Sequence, residues 1–476
     1  MKTEKPFAVR LGELEALARQ QGLDFFPVNF EVIPQDIMVE IAAYGLPTRA
    51  QHWSYGKIYN SQRLFGEMGL SKIYEIVLNN DPGLAFLLDS NPDIANLLVG
   101  AHVFGHVDFF KNNGLFAPTD RNMVNNAMSN ALRVDKHIER YGLDVVEHLQ
   151  DIGFALDRHI DPYAGVHRDL YPVRKIAEKE ESDLPYADII GDSKPGVRYV
   201  VENERIPPHP ERDLLWFLIH YANLEDWQRD TLGIIREESY YFYPQFLTKI
   251  MNEGWASYWH AELFHLWEEV NAGEMIEFAR LHAGVVNPGS RYQLNPYFLG
   301  YKILVDIEEQ WDKKRREWIE KRDKGEKTEG PMPLTGREKL FEVRRTEDDI
   351  SFIRNYFTLD LAQKFELFTY SDQQPPGNPK PAAKEATIVV TSRDHEAIIE
   401  ALVAPRYNYG VPQIWIKDVV NNHLYLEHAN RATSFLDRQF ATMTLAYIGE
   451  LWKHPVFLLT HDEAGKEVYL TSKPTS

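Results

Sequence analysis

The sequence contains no cysteine. Disulfides, thiolate zinc sites, iron–sulfur clusters and cysteine nucleophiles are therefore excluded, and any metal must be held by His, Asp or Glu. Positive charge is also scarce: 52 Lys and Arg stand against 71 Asp and Glu, a formal net charge of −19. A chain this acidic gains nothing from counterion release on nucleic acid or from anionic lipid, so neither is an expected partner. Apolar runs of the ~18 residues that a transmembrane helix requires are missing. The best, Ala95 to Gly105, is short and holds His102, so no membrane insertion is expected. The amino-terminal stretch is charged at Lys2, Glu4, Lys5, Arg10, Glu13 and Glu15. It lacks the apolar segment of a signal peptide, and a cytoplasmic location is the expectation, in keeping with the missing cysteine. Neither a GxxxxGK[ST] nor a GxGxxG loop occurs, nor a GxSxG nucleophile turn, which removes the common phosphate-cradling and serine-hydrolase motifs.

What is present is ample apolar material. The 476 residues are 44% hydrophobic and 12% aromatic, enough for a large core and, at ~100–200 residues per domain, for two to four domains. Helical spacing of Leu11, Leu14, Leu17 and Ala18, and of Ile73, Ile76, Val77, Leu84, Leu87 and Leu88, predicts helices there. Asp93 to Phe110, Arg121 to Leu156, Leu214 to Leu232 and Pro244 to Ala272 read the same way. Residues 1–311 thus form an expected helical body, zincin-like or irregular. Residues 312–370 are a charged helix, a break at Gly330-Pro331 and a further helical segment. Prolines 375, 376, 379 and 381 mark 371–386 as a linker. Beyond it, 387–476 alternates strand and helix patterns, as in Thr387–Thr391, His395–Val403 and Pro455–Thr460, and predicts a small α/β module. The expected fold class is a mainly α body with this carboxy-terminal module.

Two segments carry candidate chemistry. In AHVFGHVDFFKNN, His102 and His106 are four apart, one helical turn, and so share a face able to grip one divalent ion. The frame is that of HExxH, but the position of its glutamate base is Val103. In NEGWASYWH, Glu253 and His260 are seven apart, two turns, with Trp255 and Trp259 expected to wall that face against water. Glu253 also matches the third-ligand glutamate in the NEGFA segment of zinc aminopeptidases. Glu75, among Ile73, Ile76 and Val77, is a carboxylate whose desolvation would suit it to general-base work. The blander reading makes each of these a hydrogen-bonded core or surface residue. A ferritin-like dinuclear site needs two Glu-x-x-His pairs; the single one, Glu262 and His265, turns away from Glu253 and His260.

Taken together, PTRAQHWSYGK, YEIVLNNDPGLAFLLDSN, AHVFGHVDFFKNN, RYG at Arg140–Gly142, KIMNEGWASYWH and NPYFLG resemble the stage V sporulation protein R (SpoVR) family, from about residue 7 to residue 470. The resemblance implies a role in spore cortex peptidoglycan assembly or, in bacteria without spores, in stress or starvation responses. It also implies association with an AAA-plus-type serine protein kinase and a von Willebrand-A-like protein. One departure is Phe154, where the family leads one to expect a histidine three residues after Asp151. Three readings follow. The first is a metal-dependent hydrolase with His102, His106 and Glu253 around a divalent ion, zinc before iron, His260 as a fourth ligand or an oxyanion donor, and Glu75 as base. The second is a non-catalytic scaffold for the kinase system. The third is a non-haem iron redox protein, since two histidines and a carboxylate also form the facial triad.

Overall fold

The computed structural model of the chain describes residues 5–67, 75–163, 176–180, 197–201, 206–289, 294–373, 387–429, 435–462 and 464–472. Helices are α1 (Phe7–Gln20), α2 (Gln35–Tyr44), α3 (Trp53–Glu67), α4 (Asp93–Asn112), α5 (Met123–Tyr141), α6 (Leu143–Leu156), α7 (Leu214–Tyr221) and α8 (Asp226–Leu247). They continue with α9 (Lys249–Leu266), α10 (Ala272–Val285), α11 (Pro296–Asp323), α12 (Gly336–Thr346), α13 (Asp349–Tyr356), α14 (Leu359–Lys364), α15 (His395–Val403) and α16 (Arg438–Trp452). Strands are β1 (Val28–Ile33), β2 (Glu75–Leu78), β3 (Gly83–Leu88), β4 (Ile176–Glu180), β5 (Val197–Val201), β6 (Thr369–Gln373), β7 (Thr387–Ser392), β8 (Ile414–Val420), β9 (His423–His428), β10 (Val456–His461) and β11 (Glu467–Thr471). The mainly helical body with a smaller carboxy-terminal α/β part is the architecture observed. Among the described residues no helix is long and apolar enough to cross a membrane.

Contacts divide the chain into two units, residues 1–146 with 240–410, and 147–239 with 411–476. The first holds a three-stranded sheet of order β1-β3-β2, in which β1 runs parallel and β2 antiparallel to β3. Here the structure differs from the helical reading of Ile73 to Leu88, of which Ile73 lies outside the described residues. Gly83–Leu88 is buried at five of its six positions, and an apolar run this short carries helix and strand signals alike. Successive side chains on β2 alternate between faces. Ile76 and Leu78 join a small core with Met38 and Ile41, while Val77 packs into the main core with Val103, Phe104 and Val107. The alternation therefore sends Glu75 to the α4 side.

Helix α4 is buried without interruption from Ala95 to Phe110, the pattern of a helix enclosed on all sides. Glycines let it and its neighbours approach closely. A Cβ on Gly105 would stand 2.7 Å from Ala256 Cα, and one on Gly254 only 2.4 Å from the carbonyl carbon of Gly300. Asp108, fully buried, accepts from the Asp24 amide at 2.8 Å, Trp255 Nε1 at 2.8 Å and Arg344 Nη1 at 2.6 Å. Burial pushes this carboxyl up to about 6 despite the Arg344 guanidinium. Asp349 accepts from the Ile250 and Met251 amides, each at 2.9 Å, satisfying donors at the amino end of α9 that would otherwise be orphaned. Trp255 and Trp259 face Phe341 of α12, so they fix α9 to α12 rather than walling the histidine face.

In the second unit a four-stranded sheet of order β11-β10-β9-β8 carries α16 against β10 and β11. Its edge strand β8 is extended by Glu211, whose backbone exchanges hydrogen bonds of 3.0 and 2.8 Å with Ile416. Residues 387–410 cluster with the first unit, not with this sheet, because Ile398 and Val403 of α15 lie in the main core. Of the proline-rich linker, 374–386 lie outside the described residues.

Candidate metal centre

Helices α4 and α9 and strand β2 bring the predicted site residues together in the first unit. His102 and His106 project from adjacent turns of α4, their rings edge to face with centroids 4.5 Å apart. Glu253 enters from α9 with Oε2 at 3.4 Å from Nε2 of each histidine. Glu75 arrives from β2 with Oε1 at 3.9 Å from His102 Nε2. One ligand atom each from Glu75, His102 and His106 lie within 4.8 Å of one another, so this cluster could hold a metal ion. The side chains of His102, His106 and Glu253 are at most 6% exposed, and that of Glu75 is 17% exposed, the least buried of the four.

Within the cluster, two buried polar atoms have no hydrogen-bond partner among the described residues: His102 Nε2 and Glu253 Oε2. At 3.4 Å their contact is electrostatic rather than a well-formed hydrogen bond. Leaving such atoms unsatisfied costs ~1–3 kcal/mol each, and a cation among them would satisfy both. Two imidazoles and carboxylates form a donor set that zinc and non-haem iron both accept. The residues present thus fit a divalent ion.

The other atoms of these side chains are anchored. Nδ1 of His106 donates to Asn252 Oδ1 at 2.9 Å, and Nδ1 of His102 lies 3.0 Å from Nδ1 of His260. Lys249 Nζ donates to Glu253 Oε1 at 2.5 Å, leaving Oε2 for the cluster. Burial alone would raise the Glu253 carboxyl. The Lys249 ammonium, then His106, outweigh it and hold the group well below the ordinary carboxylate range. Burial likewise acts to lower His106, but Glu253, with help from Asn252, lifts it above its ordinary value. Tyr297, stacked on His102 at 6.0 Å, is pushed up by burial and by Glu253 and Glu75, so its phenol keeps its proton.

The family profile described as SpoVR like protein matches residues 8–410. The chain belongs to the SpoVR-like family. A curated SpoVR-family relative, the Escherichia coli (strain K12) protein described as Uncharacterized protein YcgB, is 31% identical over 494 aligned positions. That alignment covers 96% of this chain and 92% of the relative. No solved structure matches.

In this SpoVR-like chain the i, i+7 spacing of Glu253 and His260 does turn both toward α4. His260, however, stands one step behind the cluster: its Nδ1 faces His102 and its Nε2 lies 2.7 Å from His282 Nδ1. Glu262 and His265 point elsewhere, to Arg337 at 2.8 Å and to the Ala261 carbonyl at 2.8 Å, as the helical rotation predicts. Sequence reasoning missed Lys249, Asn252, Tyr297 and His282. The first two were within its reach, since Lys249 and Glu253 have the i, i+4 spacing of a helical ion pair and Asn252 adjoins Glu253 in NEGW. Tyr297 lies in NPYFLG, where only the family resemblance marked it. Nothing local distinguishes His282.

Proposed function

We propose that this SpoVR-like chain is a metal-dependent hydrolase, with His102, His106 and Glu253 holding a divalent ion, zinc first, and Glu75 as the base. One observation carries the reading: His102 Nε2 and Glu253 Oε2, both buried and without a hydrogen-bond partner among the described residues, converge with His106 on one point. Zinc bound there would supply Lewis acidity for water and carbonyl activation. The chain's own groups have distinct tasks. Lys249 turns and charges Glu253, Asn252 orients His106, and Glu75, on the less buried side, is placed to accept a proton from an incoming water. Tyr297, kept protonated, is placed to donate to a developing oxyanion. The spore-cortex association implied by the family resemblance directs the choice of substrate to an amide of cell-wall peptides.

The test is zinc-loaded protein incubated with peptidoglycan-derived peptides, wild type beside Glu75→Gln. The proposal expects hydrolysis by wild type and turnover reduced ~10²–10⁴-fold in Glu75→Gln with zinc retained. Loss of zinc in Glu75→Gln would make Glu75 a ligand instead of the base. Iron recovered in place of zinc would shift the reading to redox chemistry. Protein that binds no ion and hydrolyses nothing, yet captures the serine protein kinase or the von Willebrand-A-like protein, would return it to the scaffold.

A further inference from the structure

Behind the cluster runs a chain of three imidazoles. His102 Nδ1 lies 3.0 Å from His260 Nδ1, and His260 Nε2 lies 2.7 Å from His282 Nδ1. The rings follow one another at 5.2 and 5.0 Å between centroids. His260 is fully buried, while His282, on α10 between Phe278 and Tyr301, is half-buried. Both ring nitrogens of His260 are thus engaged by other histidines.

We propose that His260 and His282 are positioning residues for the metal centre: His260 accepts the hydrogen bond that His102 donates from Nδ1, His282 fixes His260 in turn, and the Nε2 lone pair of His102 is thereby held on the ion. This rests on the metal reading given above. A histidine that ligates through Nε2 carries its proton on Nδ1 and needs an acceptor for it. His260 Nδ1 is the atom in position. A neutral imidazole that accepts at Nδ1 has its single proton on Nε2, and here that proton meets His282 Nδ1. His106 receives the equivalent service from the Asn252 side-chain carbonyl. The two ligating histidines are thus oriented by different chemistry, one by an amide and one by an imidazole pair.

The experiment measures cobalt(II) binding to the full chain, by its visible absorption and by the exchange-protected imidazole N–H signals of the loaded protein, in wild type, His260→Phe, His260→Gln and His282→Phe. Glutamine can accept from His102 and donate to His282, which phenylalanine cannot. His260→Phe should bind cobalt ~10–100-fold more weakly and lose the His102 N–H signal, with glutamine restoring much of both. His282→Phe, at a half-buried position where an aromatic ring still stacks on Phe278, keeps the test open should His260→Phe fail to fold. It should weaken binding less than His260→Phe. Unchanged affinity in both phenylalanine variants, or glutamine no better than phenylalanine, would overturn the positioning role alone. Absence of cobalt binding in wild type would overturn the metal centre itself.

Discussion

Gly300 on α11 lies so close to α9 that a Cβ there would fall 2.0 Å from the Ile250 carbonyl oxygen and 2.8 Å from Gly254 Cα. Both obstacles are backbone, which cannot swing aside, so helix α11 reaches Glu253 with Tyr297 only because these two positions lack side chains. Gly300→Ala should cost at least the ~1–3 kcal/mol of an overpacked core and weaken metal binding with it. Gly284→Ala is the control. Nothing lies within 4 Å of a Cβ there, and relief of backbone entropy should make it neutral or stabilising by ~0.4–1 kcal/mol. Denaturant midpoints of the two variants check this. Equal stability would mean that the helices do not meet as described.

The Asp108–Arg344 pair is a second structural anchor, with both side chains at most 7% exposed and contacts of 2.6 and 2.7 Å. Asp108→Ala would leave a buried guanidinium without its anion, a change that costs ~3–5 kcal/mol. The Trp255 indole and the Asp24 amide lose an acceptor in the same substitution. Equilibrium unfolding gives the figure. A loss within experimental error would show that water reaches Arg344.

Residues 387–410 belong to the body by their packing. Ile398 is 2% exposed within the main core, and Ile398→Ala should lower the body's stability by the ~2–5 kcal/mol of a large-to-small core substitution. Hydrogen exchange can localise the effect. If the amides of α4 and α9 kept wild-type protection, α15 would not share their core.

Metal affinity should depend on pH with a definite sign. In the metal-free protein His106 sits above its ordinary 6.5 because Glu253 outweighs burial. Its contribution to stability is therefore complete below that ordinary value and lost as pH rises through the raised one. A divalent ion competes for the same nitrogen, so binding should release a proton and tighten as pH rises through this range. Glu253 adds to the same trend only at acid pH, because its lowered carboxyl keeps its charge until well below 4.5. Calorimetric titration in buffers of different ionisation heat reports the proton released. Binding that weakened toward alkaline pH would contradict the assignment of His106.

Much of the site was legible because helical spacing is rigid. His102 with His106, and Glu253 with His260, had to share faces once their segments were helical, and the motifs carried the helix signal plainly. The strands around Glu75 were not legible: Ile76–Leu88 places apolar residues at spacings that both periods tolerate, and only the tertiary sheet decides between them. Nor could spacing separate a ligand from its support. His260 has the right face and the wrong depth, which depends on how closely α4 and α9 pack through Gly105 and Ala256. Pairings across long separations, such as His260 with His282 or Asp108 with Arg344, leave no local pattern at all. The apolar face of α15 likewise does not reveal which core it enters, and only the tertiary structure shows Ile398 and Val403 packed in the main core.

The central claim is that His102, His106 and Glu253 hold a divalent ion. Elemental analysis of the full chain purified without added metal, beside His106→Ala and with melting curves before and after chelator, tests it most directly. The account predicts about one zinc per chain in wild type, because three such ligands make a complete protein contribution to a catalytic zinc site. It predicts depletion in His106→Ala, and a wild-type melting temperature that falls on chelation, because an ion bound only to the folded form stabilises it. A wild-type protein free of metal, unable to take it up and melting identically with and without chelator, would contradict the account.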